Sequence, residues 1–201
     1  MTRYTLPVVL LLSFVSHTST SSEELTLKPP EHDLFNSSLY AACRMKPNTQ
    51  LVPGMPKVYG HVLFKQSGPE ENLQVMFKLH GLPASKSQSR AIHIHQYGDL
   101  SEGCTSTGGH YNPEGVNHPL HPGDFGNFIT PNGKIRRAID SKATLYGRLS
   151  VLGRAVVIHE KEDDMGRGGD AGSLLHGNAG GRLACCVIGI SSSKLWNKSK
   201  Q

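Results

Sequence analysis

Ala91-Ile92-His93-Ile94-His95 is the stretch that decides how this chain reads. Apolar and imidazole side chains alternate there with the period of a strand that has two faces. Ile92 and Ile94 are expected in a packed interior, and His93 and His95 share the opposite face with their Cα atoms roughly 6.6 Å apart. Two imidazoles side by side on a rigid element can hold one metal ion. Further on, His110, His118, His121 and Asp124 follow one another at spacings of 8, 3 and 3. They supply nitrogen and oxygen donors in the number a closed tetrahedral zinc site needs. One such histidine would pass for a surface residue; five with an aspartate inside 32 residues point to metal.

His159 ends the apolar run Ala155-Val156-Val157-Ile158 and is available as a third ligand beside His93 and His95. A site of imidazoles without thiolate suits copper or zinc better than calcium or magnesium. A histidine using both ring nitrogens would join the two ligand groups, and His110 lies between them in sequence. Asp163 can accept ring N–H bonds and hold ligands in one tautomer, although spacing alone reads it as a solvated loop acid.

Outward from this stretch the chain alternates short strands with turns. Strands are expected near 58–65, 73–79, 91–96, 135–140, 144–146, 154–159 and 182–190. No helix-length amphipathic pattern interrupts them. The series predicts an all-β sandwich or barrel with one core. Residues 99–131 and 161–181 break the pattern as two long loops, which in a compact domain are usually functional.

The first 22 residues read as a secretory signal peptide. Arg3 precedes an apolar run from Leu6 to Val15, too short for a membrane span, and small polar residues follow. An exported, soluble protein is therefore expected, with no membrane span. Residues 23–55 read as an N-terminal arm with little sheet character, in which Leu34, Phe35, Leu39 and Ala42 recur at the spacing of a short oligomerising helix. Asn36 and Asn197 open glycosylation acceptor sites. The net charge of +5 is a mild excess without a dense basic run, so nucleic acid is not implied. Export makes disulfides of the four cysteines. Cys185 and Cys186 are neighbours on one strand, so each must bridge elsewhere, to Cys43 and Cys104; spacing leaves the pairing open.

Six motifs taken together resemble copper/zinc superoxide dismutase. They are His93-Ile-His-Gln-Tyr-Gly-Asp99, Gly103-Cys-Thr105, Gly109-His-Tyr-Asn-Pro113, His121-Pro-Gly-Asp-Phe-Gly-Asn127, Val157-Ile-His-Glu-Lys-Glu-Asp-Asp164, and Gly177 through Ile190. The signal peptide, the arm carrying Cys43 and the Cys185-Cys186 doublet resemble the secreted branch. The resemblance implies an eight-stranded Greek-key barrel over 56–191, followed by a short basic tail, 192–201. It implies copper on His93, His95, His110 and His159, and zinc on His110, His118, His121 and Asp124. In that pattern Asp163 links the two sites through His93 and His118, and Arg182 is the channel cation that docks superoxide. His110 opens from copper and takes up a proton during turnover. Cys104 pairs with Cys185 and Cys43 with Cys186. Partners implied are superoxide and further copies of the chain, as a homodimer or homotetramer in the extracellular space.

Some residues depart from the family. Gly109 replaces the usual proline before the bridging histidine, and His176 stands at the channel rim. His32, His61 and His80 match no ligand position. The tail has only Lys194, Lys198 and Lys200, so weak or no heparan sulfate binding is expected of this chain. A non-enzymatic metal-binding relative would lack a ligand, Asp163 or Arg182, and none is missing. A three-histidine zinc hydrolase would need a general base beside His93, His95 and His159, and none stands out.

Overall fold

The computed structural model describes residues 38–200. The signal peptide, Leu34, Phe35 and Asn36 lie outside the described residues, as does His32. Nine strands and two short helices follow in order: β1 (Leu39–Pro47), β2 (Tyr59–Gln66), β3 (Leu73–His80), β4 (Ser85–His95), β5 (Asp124–Thr130), β6 (Lys134–Ser141), β7 (Ala155–His159), α1 (Ala171–His176), β8 (Arg182–Val187), β9 (Gly189–Ile190) and α2 (Ser193–Lys198).

The ladders run β5-β4-β7-β8-β1-β2-β3-β6, with β9 beside β1. The two ends of this path approach each other without a ladder, and the Phe77 ring of β3 lies 4.7 Å from that of Phe128 on β5. The result is an all-β, nearly closed eight-stranded barrel. Its interior takes one face of each strand: Cys43 and Met45, Val62 and Phe64, Val75 and Phe77, Ile92 and Ile94, Val156 and Ile158 are all buried. Burying such side chains stabilises the fold by about 1.5–3 kcal/mol each.

Two strands were not legible in advance. Residues 39–47, read as the end of an arm with helical spacing, are β1, which pairs with β2 from Leu39 to Met45. The barrel therefore begins some seventeen residues before position 56. Alternation is blurred there because Ala42 is small and its outer face is covered: α2 packs over β1 and β2, burying Trp196. The tail is thus partly folded onto the barrel. β5 lies inside the stretch read as one irregular loop; Gly126, at φ +82°, breaks its pattern between Phe125 and Phe128. Conversely, residues 144–146 form no strand. Thr144 makes only an isolated bridge to Ser150.

Candidate metal centre

β4 and β7 lie side by side with His93 opposite Val157. His159, two residues further along β7, is therefore the diagonal neighbour of His93, and their ring centres are 4.9 Å apart. Ile92 and Ile94 enter the core as expected, and the two histidines of β4 lie on the other face beneath the long loops. The first loop returns to the end of β4: Tyr111 N–H donates to Ile94 O and Gln96 N–H to Gly109 O. That pairing sets His110 against His93, with ring centres 4.1 Å apart. His118, His121 and Asp124 close the same loop around the far side of His110.

Donor atoms of His93, His95, His110 and His159 lie within 4.8 Å of one another. So do those of His110, His118, His121 and Asp124, and His110 alone belongs to both groups. The rings are oriented by bonds on their outer nitrogens. His95 Nδ1 donates to Gly108 O at 2.9 Å and His159 Nδ1 to Gly180 O at 3.4 Å. A carbonyl only accepts, so each neutral ring keeps its proton on Nδ1. Their Nε2 atoms then face each other at 3.2 Å with lone pairs converging. Burial first, and neighbouring imidazoles second, hold both pKa values well below that of free imidazole. Neither ring carries the extra proton that would let one Nε2 donate to the other, and a cation between them removes the repulsion.

The other rings follow the same rule. His93 and His118 each place Nε2 2.8 Å from an oxygen of Asp163, on Oδ2 and Oδ1 respectively. His121 Nε2 donates to Val116 O at 3.0 Å. Each of these rings turns Nδ1 inward, buried and without a hydrogen-bond partner. Nδ1 of His118 and of His121 do lie 2.8 and 3.0 Å from Asp124 Oδ2. These contacts miss hydrogen-bond geometry, as expected of ligands aimed at a common ion rather than at one another. His110 has Nδ1 3.0 Å from Asp124 Oδ1, while its Nε2 is buried on the other side without a partner. Buried nitrogens left unpaired are costly; here they are aimed at two points. The donors fit copper at the all-imidazole point and zinc at the point that adds a carboxylate.

Burial would raise the pKa of Asp163 and Asp124, but bonds from the histidines outweigh it and hold both well below the usual carboxylate range. Burial likewise opposes a charged His118, yet Asp124 and Asp163 raise its pKa to about 9. In His110 burial wins over Asp124, and the value falls to about 4.

Arg182 opens β8, and a register shift between Ile158 and His159 sets it directly across from His159. Its guanidinium Nη1 donates to Cys104 O (2.7 Å), Thr105 O and Thr107 Oγ1, and Nη2 to Gly108 O (2.7 Å). Among the described residues that leaves Nε–H and one Nη2–H without an acceptor. The Cys104–Cys185 disulfide anchors this loop to β8, and Cys43–Cys186 joins β1 to the same strand. Arg182, His95, His110, His159 and His176 line one cavity of about 470 Å³.

Two contributors carried no assigned role in the sequence. Asn127 clamps the backbone of Asp163 by accepting from its N–H and donating to its C=O, both at 2.8 Å. The carbonyls of Gly108, Val116 and Gly180 fix three rings, and a backbone acceptor leaves no residue-type signal to read.

The sequence profile of the family described as "Copper/zinc superoxide dismutase (SODC)" matches residues 58–188. The rat extracellular superoxide dismutase [Cu-Zn] is 51% identical over 160 residues, covering 79% of this chain and 66% of the relative. The human protein of the same name is 51% identical over 165 residues, covering 81% and 69%. The extracellular superoxide dismutase [Cu-Zn] of Drosophila melanogaster is 44% identical over 142 residues, 67% of this chain and 77% of that one. The chain thus spans about two thirds of the length of the mammalian relatives it matches.

Proposed function

This chain belongs to the copper/zinc superoxide dismutase family, and from that premise we propose that it converts two superoxide anions and two protons into dioxygen and hydrogen peroxide outside the cell. The observation that carries the reading is His110, whose two nitrogens face two different donor clusters. His93, His95, His110 and His159 would hold copper, which would supply the one-electron chemistry, and His110, His118, His121 and Asp124 would hold zinc, which would fix the shared ring.

The residues do the rest. Arg182 presents its two spare N–H groups in the same cavity as His95, His110 and His159, where they attract and dock an anion. His110 Nε2 is the atom that takes up a proton and hands it on. Asp163 aims Nδ1 of His93 and of His118 toward the two metal points through one carboxylate. Asp124 keeps the His110 ring in place while its other nitrogen changes state.

Secretion is supported by the extracellular names of the relatives and by two disulfides. Among the described residues no helix is long and apolar enough to cross a membrane. The chain assembles as a homodimer or homotetramer, a reading supported by exposed Val187 on β8 and exposed Ile190 on β9. Asn197 stands exposed on α2 and is the glycosylation acceptor there. With only three lysines in its tail, the chain binds heparan sulfate weakly or not at all. The test is superoxide consumption by the purified protein before and after copper removal. Activity lost with copper and restored by copper, but not by zinc, is expected; activity indifferent to copper contradicts the reading.

A further inference from the structure

The cavity over the metal centre has a further imidazole at its mouth. His176 ends α1 and lines that cavity together with Arg182, His95, His110, His121 and His159. The helix fixes its place, because Gly177 turns the chain at φ +64° and its N–H donates to Ser173 O, closing the last turn. His176 itself stays exposed. Among the described residues its ring makes no hydrogen bond, ion pair or ring contact, unlike the six histidines of the metal centre. Both of its nitrogens are therefore open to a solute in the cavity. Among the described residues Arg182 is the only permanent charge on the wall, no acid lines it, and Leu175 and Ala179 supply apolar stretches. The acids of α1 and the loop before it are engaged elsewhere. Asp164 accepts from Ser173 Oγ and from Asn178 Nδ2. Asp170 caps the helix by accepting from Ser173 N–H, and it also accepts from Asn178. Those bonds first, and the nearby His176 ring after them, hold Asp170 below the usual carboxylate range. A Cβ on Gly172 would stand 3.1 Å from Asp170 Oδ1 and 3.1 Å from His176 Cε1, so the acid sits on the helix side of the ring.

We propose that His176 is a second anion-docking residue of this cavity, which joins Arg182 when acid charges its ring. Histidine is the side chain whose charge changes between pH 5 and 8, whereas arginine stays charged throughout. The groups facing the ring are few: Asp170 behind it on α1, Arg182 on β8, and the imidazoles of His95, His110, His121 and His159 on the cavity floor. A cleft with low-dielectric walls and one sign of charge concentrates the opposite ion. A unit cation about 8 Å from an anion in water raises its local concentration about twofold, and apolar walls raise it further. Anion capture should therefore gain about two- to fivefold as the medium turns acid. The identity of the anion rests on the superoxide reading; the docking role rests on the cavity.

The test measures kcat/KM for superoxide from about pH 8.5 to 5.5 at about 10 mM salt. It uses the full secreted chain loaded with copper and zinc, and the variants His176→Asn and His176→Lys. Binding of sodium azide to the same samples, read from the copper charge-transfer absorption, measures docking without turnover. In both measurements the wild type should gain about two- to fivefold over His176→Asn toward acid. His176→Lys, charged at every pH used, should exceed His176→Asn throughout and lack that slope. About 0.5 M salt should bring the three together, because the Debye length then falls to a few ångströms. Metal content and unfolding temperature, taken alongside, show that the variants are folded and loaded. A passive surface imidazole would give His176→Asn the wild-type pH profile in both measurements and overturn the proposal. So would a difference that survives 0.5 M salt, or a lysine variant no better than the asparagine one. An azide pattern as described in a wild type that consumes no superoxide would support the docking role and overturn the dismutase reading instead.

Discussion

Replacing Gly177 with alanine tests how the loop after α1 supports both metal points. Gly177 caps that helix at φ +64°, and a Cβ there would overlap Asp163 Oδ1 and stand 2.6 Å from His118 Nε2. The left-handed backbone costs an alanine about 1–2 kcal/mol. Displacing Asp163 also weakens its hydrogen bond to His118, a charge-assisted contact worth about 1.5–3 kcal/mol. The metal-free protein should therefore lose about 2.5–5 kcal/mol, and zinc affinity should fall about 10–100-fold because the ring is no longer held in one tautomer. Gly147 is the control: its φ is +66° and a Cβ there meets nothing within 4 Å. Gly147→Ala should show the backbone cost alone and unchanged zinc affinity. Denaturant unfolding of the metal-free proteins and competitive zinc titration measure both terms. Equal losses in the two variants, or wild-type zinc affinity in Gly177→Ala, would refute the reasoning.

Neutralising the channel cation with Arg182→Ser should lower kcat/KM for superoxide by about tenfold or more at low ionic strength and flatten its salt dependence; metal content should be kept, and an unchanged salt dependence sinks the docking role. Metal-free protein should be most stable near pH 6.5. His95, His110 and His159 are held neutral when folded, so stability falls as acid protonates the unfolded chain below about 6.5. The raised His118 contributes stability that is complete below about 6.5 and lost as pH rises through about 9; unfolding free energies that change in one direction only from pH 4 to 9 would contradict this. Cys43→Ser with Cys186→Ser opens a crosslink spanning 143 residues. It should cost about 2–5 kcal/mol in a denaturant titration while superoxide consumption by the folded protein persists, since neither cysteine touches the metal centre.

The metal centre was legible because its residue types are scarce and their spacing is local: two histidines on alternate positions of one strand, and four donors in one loop. Asp163 carried no such signal of its own. Its position in a family motif, not its spacing, separated it from the acids beside it, and only the fold shows it buried between His93 and His118. The barrel was legible in β3 and β4, where apolar positions alternate, and in β2, β7 and β8, which carry short apolar runs. It failed at β1 and β5, where a covered outer face and a glycine remove the contrast between faces.

The central claim is that one imidazole, His110, serves both donor clusters. Loading the metal-free protein with two copper(II) ions per subunit and recording its electron paramagnetic resonance spectrum tests this directly. A ring bound through both nitrogens couples the two spins, so the account predicts that most of the ordinary copper signal disappears at neutral pH and low temperature. A spectrum that integrates to two independent copper ions would contradict it.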